Sequence, residues 1–209
     1  TLFATNLFYY SSIDVINSHP LSFFLISIFM YLWWKTQKKR SSQMWFFLGI
    51  LSGLLALNRT QDVTFITFLL IDAYFFIQNK EKTIAVIKKI ILSGIGFCLA
   101  FIPQIFTWLI MYDTVWKSPY LSYKGAFDVF HPHILEIIFD KNRGLLFFSP
   151  LILVSLTGLF FLKKENGRLF WSLFIVFFLQ FYTIASWDGW HQGESYGIRM
   201  LISVTPIFS

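Results

Sequence analysis

Between two strongly apolar segments lies Ser186-Trp-Asp-Gly-Trp-His-Gln-Gly-Glu-Ser-Tyr-Gly-Ile-Arg199, the densest polar and glycine-rich run in the sequence. Gly189, Gly193 and Gly197 permit left-handed or closely approached backbone. Asp188 and Glu194 can take protons or bind a cation, and Arg199 can grip a phosphate or carboxylate through two N–H groups at once. Trp187, Trp190, Tyr196 and His191 supply flat amphipathic surface suited to stacking on sugar rings, although Trp and Tyr also gather at membrane interfaces as anchors.

Long apolar runs surround this motif. Only 13% of the 209 residues are charged, against about 25% in a typical soluble domain, and 56% are hydrophobic. The composition predicts an all-α, polytopic transmembrane bundle. The net charge of +6 does not point to nucleic acid, because the basic residues fall in short clusters between apolar runs. Eleven of the 17 Lys and Arg lie at Lys35/Lys38/Lys39/Arg40, Lys80/Lys82/Lys88/Lys89 and Lys163/Lys164/Arg168, the pattern of cytoplasmic loops. Cys98 is the single cysteine, so an internal disulfide and a cysteine metal cluster are both excluded.

The apolar runs predict six complete spans and two partial ones. Thr1–Tyr10 reads as the end of a span arriving at the outer face. Spans follow over Leu21–Trp34, with Pro20 in the first helical turn, and over Met44–Asn58, Val63–Ile77, Ile90–Met111, Leu145–Leu162 and Leu169–Ala185; Ile198 begins another. Gly49-x-x-x-Gly53 has the small-residue spacing of close helix packing, and Pro103 predicts a kink. Asp72 is an ionisable group within a span, near enough to its inner end to reach water or a lysine. In the long polar segment Asp113–Arg143, the stretch His131–Asp140 predicts a short interfacial helix, positioned by His131 and His133. Both ends of the sequence fall in apolar segments, so the 209 residues read as one piece of a longer integral-membrane domain, truncated at both ends.

This topology puts Asp14, Asp62, Asp113, Asp128, Glu136, Asp140, Asp188 and Glu194 on the outer face, with Arg59, Arg143 and Arg199 at outer span boundaries. Arginines at headgroup depth suit the phosphate of a lipid-linked substrate, since an arginine there without an anion is costly, although arginines also snorkel to the interface for structural reasons. A divalent metal could draw on His19, Asp188, His191 and Glu194, but no spacing demands one.

Three stretches together resemble bacterial multi-span glycosyltransferases of the GT-C fold, the group related to protein mannosyltransferases and the lipid A aminoarabinose transferase. Trp190-His191-x-Gly193-x-Ser195-Tyr196-Gly197-x-Arg199-x-Leu201, followed by Pro206, is similar to the family's W-(H/x)-G-G-x-S-(Y/F)-G-x-R-x-L…P signature. Arg143-Gly-Leu-Leu-Phe-Phe-Ser-Pro150…Gly158-Leu159 and Tyr10…Ser18-His19-Pro20-Leu21-Ser22-Phe23 resemble two further segments, in the family's order. Gln192 and Ile198 depart from the pattern, where Gly and Pro are usual.

The resemblance implies a membrane glycosyltransferase that moves a sugar, with inversion, from a polyprenyl-phosphate donor to a glycan, lipid or protein acceptor. The active face would be the periplasmic or extracellular side of the plasma membrane. It further implies that Arg199 and Arg143 contact the donor phosphate, that His191, Glu194, Trp190 and Tyr196 line the sugar or phosphate pocket, and that Arg59, His19 and Asp62 contribute more weakly. The catalytic acidic base is expected upstream of Thr1, which would leave this stretch inactive alone. Two other classes stay open. A transporter or flippase would place polar groups along the spans, where only Asp72, Gln104 and Gln180 are notable; a non-catalytic subunit of an envelope-assembly complex would need no base at all.

Overall fold

The computed structural model describes residues 5–115, 126–193 and 195–208. Its elements are helical, with one isolated backbone bridge between Phe127 and Trp187. The helices are α1 (Leu7–Ser12), α2 (His19–Thr36), α3 (Ser42–Asn58), α4 (Thr67–Gln78), α5 (Thr83–Tyr112), α6 (Ile134–Phe139), α7 (Leu145–Phe148), α8 (Pro150–Glu165) and α9 (Gly167–Ala185). The described residues also form 3-10 helices at Thr60–Ile66 and Arg199–Phe208.

Among the described residues, three stretches are long and apolar enough to cross a membrane: Thr60–Gln78, Thr83–Tyr112 and Gly167–Ala185. These coincide with three of the six expected complete spans; Ser42–Asn58 is a shorter apolar helix. The expected turn at Arg59–Asp62 is the start of a 3-10 helix continuous with α4. The expected crossing Leu145–Leu162 is divided at Ser149, where Pro150 has no N–H to carry α7 onward and instead opens α8. The expected span after Ile198 is a 3-10 helix whose residues Met200–Ile207 are all buried in the protein. The surface helix foreseen around His131–Asp140 is α6, six residues long. Pro20 lies in the first turn of α2, as expected, and α5 runs through Pro103 without a break.

Local chemistry sets several boundaries. The Ser41 hydroxyl accepts the Met44 N–H at 3.2 Å and caps α3; Asn166 Oδ1 does the same for Leu169 at 3.0 Å in α9. The core is aromatic and aliphatic, centred on Phe29, Trp33, Trp45, Phe65, Phe68 and Phe170, all nearly inaccessible. Helices α3 and α5 touch backbone to backbone. A Cβ on Gly53 would fall 2.5 Å from the Phe97 carbonyl oxygen, and one on Gly49 or Gly96 would collide with the carbonyl of Ser93 or Phe46. The paired glycines are packing devices, as their spacing implies.

Asp72 is neither hydrated nor paired with lysine. Fully buried, it pairs with Arg40, accepts Trp33 Nε1 at 2.7 Å, and receives Arg168 Nε at 3.0 Å and Nη2 at 2.5 Å. The cluster ties the end of α2, the middle of α4, the start of α9 and the turn before α3 into one knot. Because α2 starts and α3 ends beside Arg59, this knot lies at the other end of the bundle, about 25 Å away along 17-residue α3.

Candidate functional site

The polar motif after α9 is built into the opposite end by backbone bonds. Asp128 N–H donates to the Ser186 carbonyl at 2.7 Å, Asp188 N–H to Ala126 at 3.1 Å, and His133 N–H to Ala185 at 2.8 Å. The segment Ala126–His133 and the motif therefore form one layer. The exposed Asp128 carboxylate accepts His131 Nδ1 at 2.9 Å and two backbone N–H groups, which hold its pKa below the ordinary carboxylate value.

Within the motif, Gln192, Gly193 and Gly197 have φ of +57°, +63° and +64°. The turn folds back so that Met200 N–H donates to Gln192 Oε1 at 3.2 Å, while Gln61 Nε2 donates to the Met200 carbonyl at 3.1 Å. Ser195 Oγ closes the next turn on the Gly197 carbonyl at 3.0 Å.

The three segments that carried the family resemblance meet here. Tyr10 O–H accepts the Tyr196 N–H at 2.9 Å and donates to the Tyr196 carbonyl at 3.4 Å. Tyr196 stacks on Tyr9 at 4.8 Å between ring centres and meets Phe148 edge-on at 5.1 Å. One turn further, His19 at the start of α2 is hydrogen-bonded to Arg59, which also donates to Gln61 Oε1 at 3.2 Å.

A polar cavity of about 220 Å³ opens at this junction, lined by His19, Arg59, Gln192 and Arg199 among others. Gln192 is 6% exposed, and its Nε2 donor has no hydrogen-bond partner among the described residues. Two cations and this donor give the cavity the character of an anion site. An apolar groove of about 220 Å³ adjoins it, sharing Arg59, Trp187 and Met200 and adding Val63, Phe127 and Ile184. A third hollow, about 280 Å³, lies on the other flank of Arg59 beside Gln104 and Trp108. Arg59 lines all three.

Beneath the cavity, Asp62 is fully buried and held by Ser22 Oγ at 2.7 Å and Gln180 Nε2 at 3.0 Å. Asn58 Nδ2 donates to Ser22 Oγ at 2.8 Å and to the Ser18 carbonyl at 3.1 Å. This network fixes α2, α3 and α9 around Arg59, so Asp62 positions the site from below.

Trp187 also lines the cavity, whereas Arg143, His191, Trp190 and Tyr196 do not. Arg143 is half-buried in the turn after α6 and lines none of the three hollows around Arg59. His191 is exposed, with Nδ1 accepting the Gly193 N–H at 3.3 Å; Trp190 packs on His133 at 5.7 Å; Tyr196 is 47% exposed. Glu194 lies outside the described residues. Among the described residues no three His, Cys, Asp or Glu side chains gather as metal ligands, so His19, Asp188 and His191 do not form a common set. Gln61 and Gln192 are the site residues that sequence reasoning missed. The only signal for Gln192 was its departure from the glycine usual at that position. No protein-family model, curated protein or solved structure matches this chain.

Proposed function

We propose that this chain forms the donor-phosphate site of a membrane glycosyltransferase acting on a polyprenyl-phosphate sugar at the outer face. The observation that carries the reading is the polar cavity between Arg59 and Arg199 with an apolar groove continuing from it. An amphipathic anion needs both: cationic N–H donors for the phosphate and an apolar channel for the first isoprene units. The meeting of the Tyr10–Phe23, Arg143–Pro150 and Trp190–Arg199 segments supports the same reading. The buried polar groups support it against a transport path, since Asp72 and Gln180 are fully enclosed and engaged with protein partners.

In the proposed reaction a carboxylate removes the proton of an acceptor hydroxyl, and that oxygen attacks the anomeric carbon from the side opposite the phosphate. The bond from the anomeric carbon to the phosphate oxygen breaks, and its electron pair leaves with the polyprenyl phosphate. Arg59 and Arg199 stabilise the charge that develops on the departing phosphate, and the Gln192 amide adds a neutral donor. No carboxylate lines the polar cavity among its described residues, so the reading assigns phosphate binding to the cavity and leaves the base unassigned.

Arg199→Ala in the full-length protein is expected to abolish sugar transfer while the protein still inserts and folds, as judged by membrane yield and thermal midpoint. Unchanged transfer would remove Arg199 from the site.

A further inference from the structure

The hollow of about 280 Å³ beside Gln104 and Trp108 is used by neither the phosphate cavity nor the apolar groove, yet it shares Arg59 with both. It opens just past the close contact of α3 and α5. These helices run side by side in one direction, since Gly49 abuts Ser93 and Gly53 abuts Phe97 and Ala100. About one turn beyond that contact, Asn58 at the end of α3 and Gln104 and Trp108 on α5 line the hollow, with Arg59 and Thr60 following Asn58.

The lining is polar where a membrane helix has reason to be apolar. Gln104 lies half-buried within α5, and its amide has no hydrogen-bond partner among the described residues. Such a group is costly inside a span unless something pairs with it. Asn58 commits its Nδ2 to the Ser18 carbonyl at 3.1 Å and Ser22 Oγ at 2.8 Å, which fixes the side chain and leaves Oδ1 as an acceptor. Trp108 is 8% exposed and braced edge-on by Phe101 at 5.8 Å, so its ring forms a fixed wall. Fixed amides beside a fixed aromatic ring suit a sugar, whose C–H face packs on the ring while its hydroxyls pair with the amides. A prenyl or acyl chain would cover the Gln104 amide without pairing it. Charge narrows the class further. Arg59 is the one charged residue on the hollow among the described residues, so an ammonium group on the sugar would meet a cation and no anion.

We infer that this hollow takes the sugar ring of the donor, an uncharged monosaccharide, with Gln104 and Asn58 pairing its hydroxyls and Trp108 packing on its apolar face. The inference rests on the reading of the Arg59–Arg199 cavity as the donor-phosphate site, because a sugar bonded directly to that phosphate must lie beside a residue that holds it. Arg59 is that shared residue. Gln104 is thereby a specificity-determining residue at a distance from the polar motif.

The test is a set of binding titrations on the purified full-length protein in detergent, without acceptor. The probes are short-chain prenyl phosphodiesters of equal phosphate charge: methyl, glucosyl, mannosyl, N-acetylglucosaminyl and glucosaminyl. At least one neutral sugar diester is expected to bind about tenfold more tightly than the methyl diester, and the glucosaminyl diester more weakly than its N-acetyl counterpart. Gln104→Leu is expected to weaken the favoured sugar diester about 3- to 10-fold and to leave the methyl diester unchanged. Arg199→Ala is expected to weaken both alike. A sugar that adds no affinity, or a gain that Gln104→Leu leaves intact, would overturn the sugar site while the phosphate site stands. Equal loss of methyl and sugar diesters in Gln104→Leu would make Gln104 structural and overturn it as well. Tightest binding of the glucosaminyl diester would overturn the uncharged class. Methyl diester binding indifferent to Arg199 would instead overturn the phosphate reading, and this inference with it.

Discussion

Gln192 occupies left-handed backbone, where a side chain costs roughly 1–2 kcal/mol relative to glycine, yet its Oε1 receives the Met200 N–H and its buried Nε2 has no partner among the described residues. A residue that carries such a cost is placed for its amide. Gln192→Gly trades the backbone penalty against one buried hydrogen bond of similar size, so the thermal midpoint should correspond to a change within about 1 kcal/mol of zero. Affinity for a phosphate ligand should nevertheless fall about tenfold, since a donor to a charged acceptor is lost. A variant that binds as tightly as the parent would make Gln192 purely structural. At this scale the sequence was readable in part. Arg59, Arg143 and Arg199 read as span-boundary residues and His19 as part of a polar connection; the structure puts Arg59, Arg199 and His19 on one cavity and leaves Arg143 off it. Their company with Gln61 and Gln192 was not legible, because it depends on a turn whose return path is set by positive-φ backbone and by contacts to residues about 140 positions away.

Among the elements, the knot at Asp72 shows how little local pattern says about long-range pairing. The position of Asp72 within an apolar run was plain, but its partners lie 32 and 96 residues off, in a turn and at the start of α9. Removing the carboxylate would leave two guanidinium groups and an indole N–H facing one another in a buried space. Asp72→Ala should therefore destabilise the fold by about 3–5 kcal/mol, measured as a lowered unfolding midpoint in detergent, and the triple replacement Asp72→Leu/Arg40→Met/Arg168→Met should recover much of it. Helix boundaries behaved differently. Met44–Asn58 was legible to within two residues because its apolar run follows a basic turn and glycine spacing marks its packing face. Residues 198–208 read as the opening of a span because they are apolar. Apolarity does not distinguish lipid from protein as the surrounding medium, and here the segment is a 3-10 helix enclosed by its own fold.

Across the whole molecule, apolar surface and polar surface are sorted along one axis. Helix α5 is 30 residues long with only 17% of its most apolar window buried, which leaves a broad aliphatic face outside the core. Cys98, exposed near the middle of α5, is a native reporter of what covers that face. In intact membranes it should resist a membrane-impermeant maleimide and react once the protein is unfolded in detergent; rapid labelling in sealed vesicles would contradict a lipid-covered α5. The two ends differ in the same ordered way, with Arg59 and Arg199 around a polar cavity at one and Lys38, Lys39, Arg40 and Lys89 at the other. The account rests on the first of these cavities recognising a phosphate that carries an isoprenoid chain. The most direct measurement is an affinity comparison of short-chain polyprenyl phosphate and the corresponding polyprenol on the full-length protein and on Arg199→Ala. The account predicts that the phosphate ester binds the parent far more tightly than the alcohol, and that Arg199→Ala weakens the ester about 10- to 100-fold while leaving the alcohol unaffected. Equal affinity for ester and alcohol, or an ester affinity indifferent to Arg199, would contradict it.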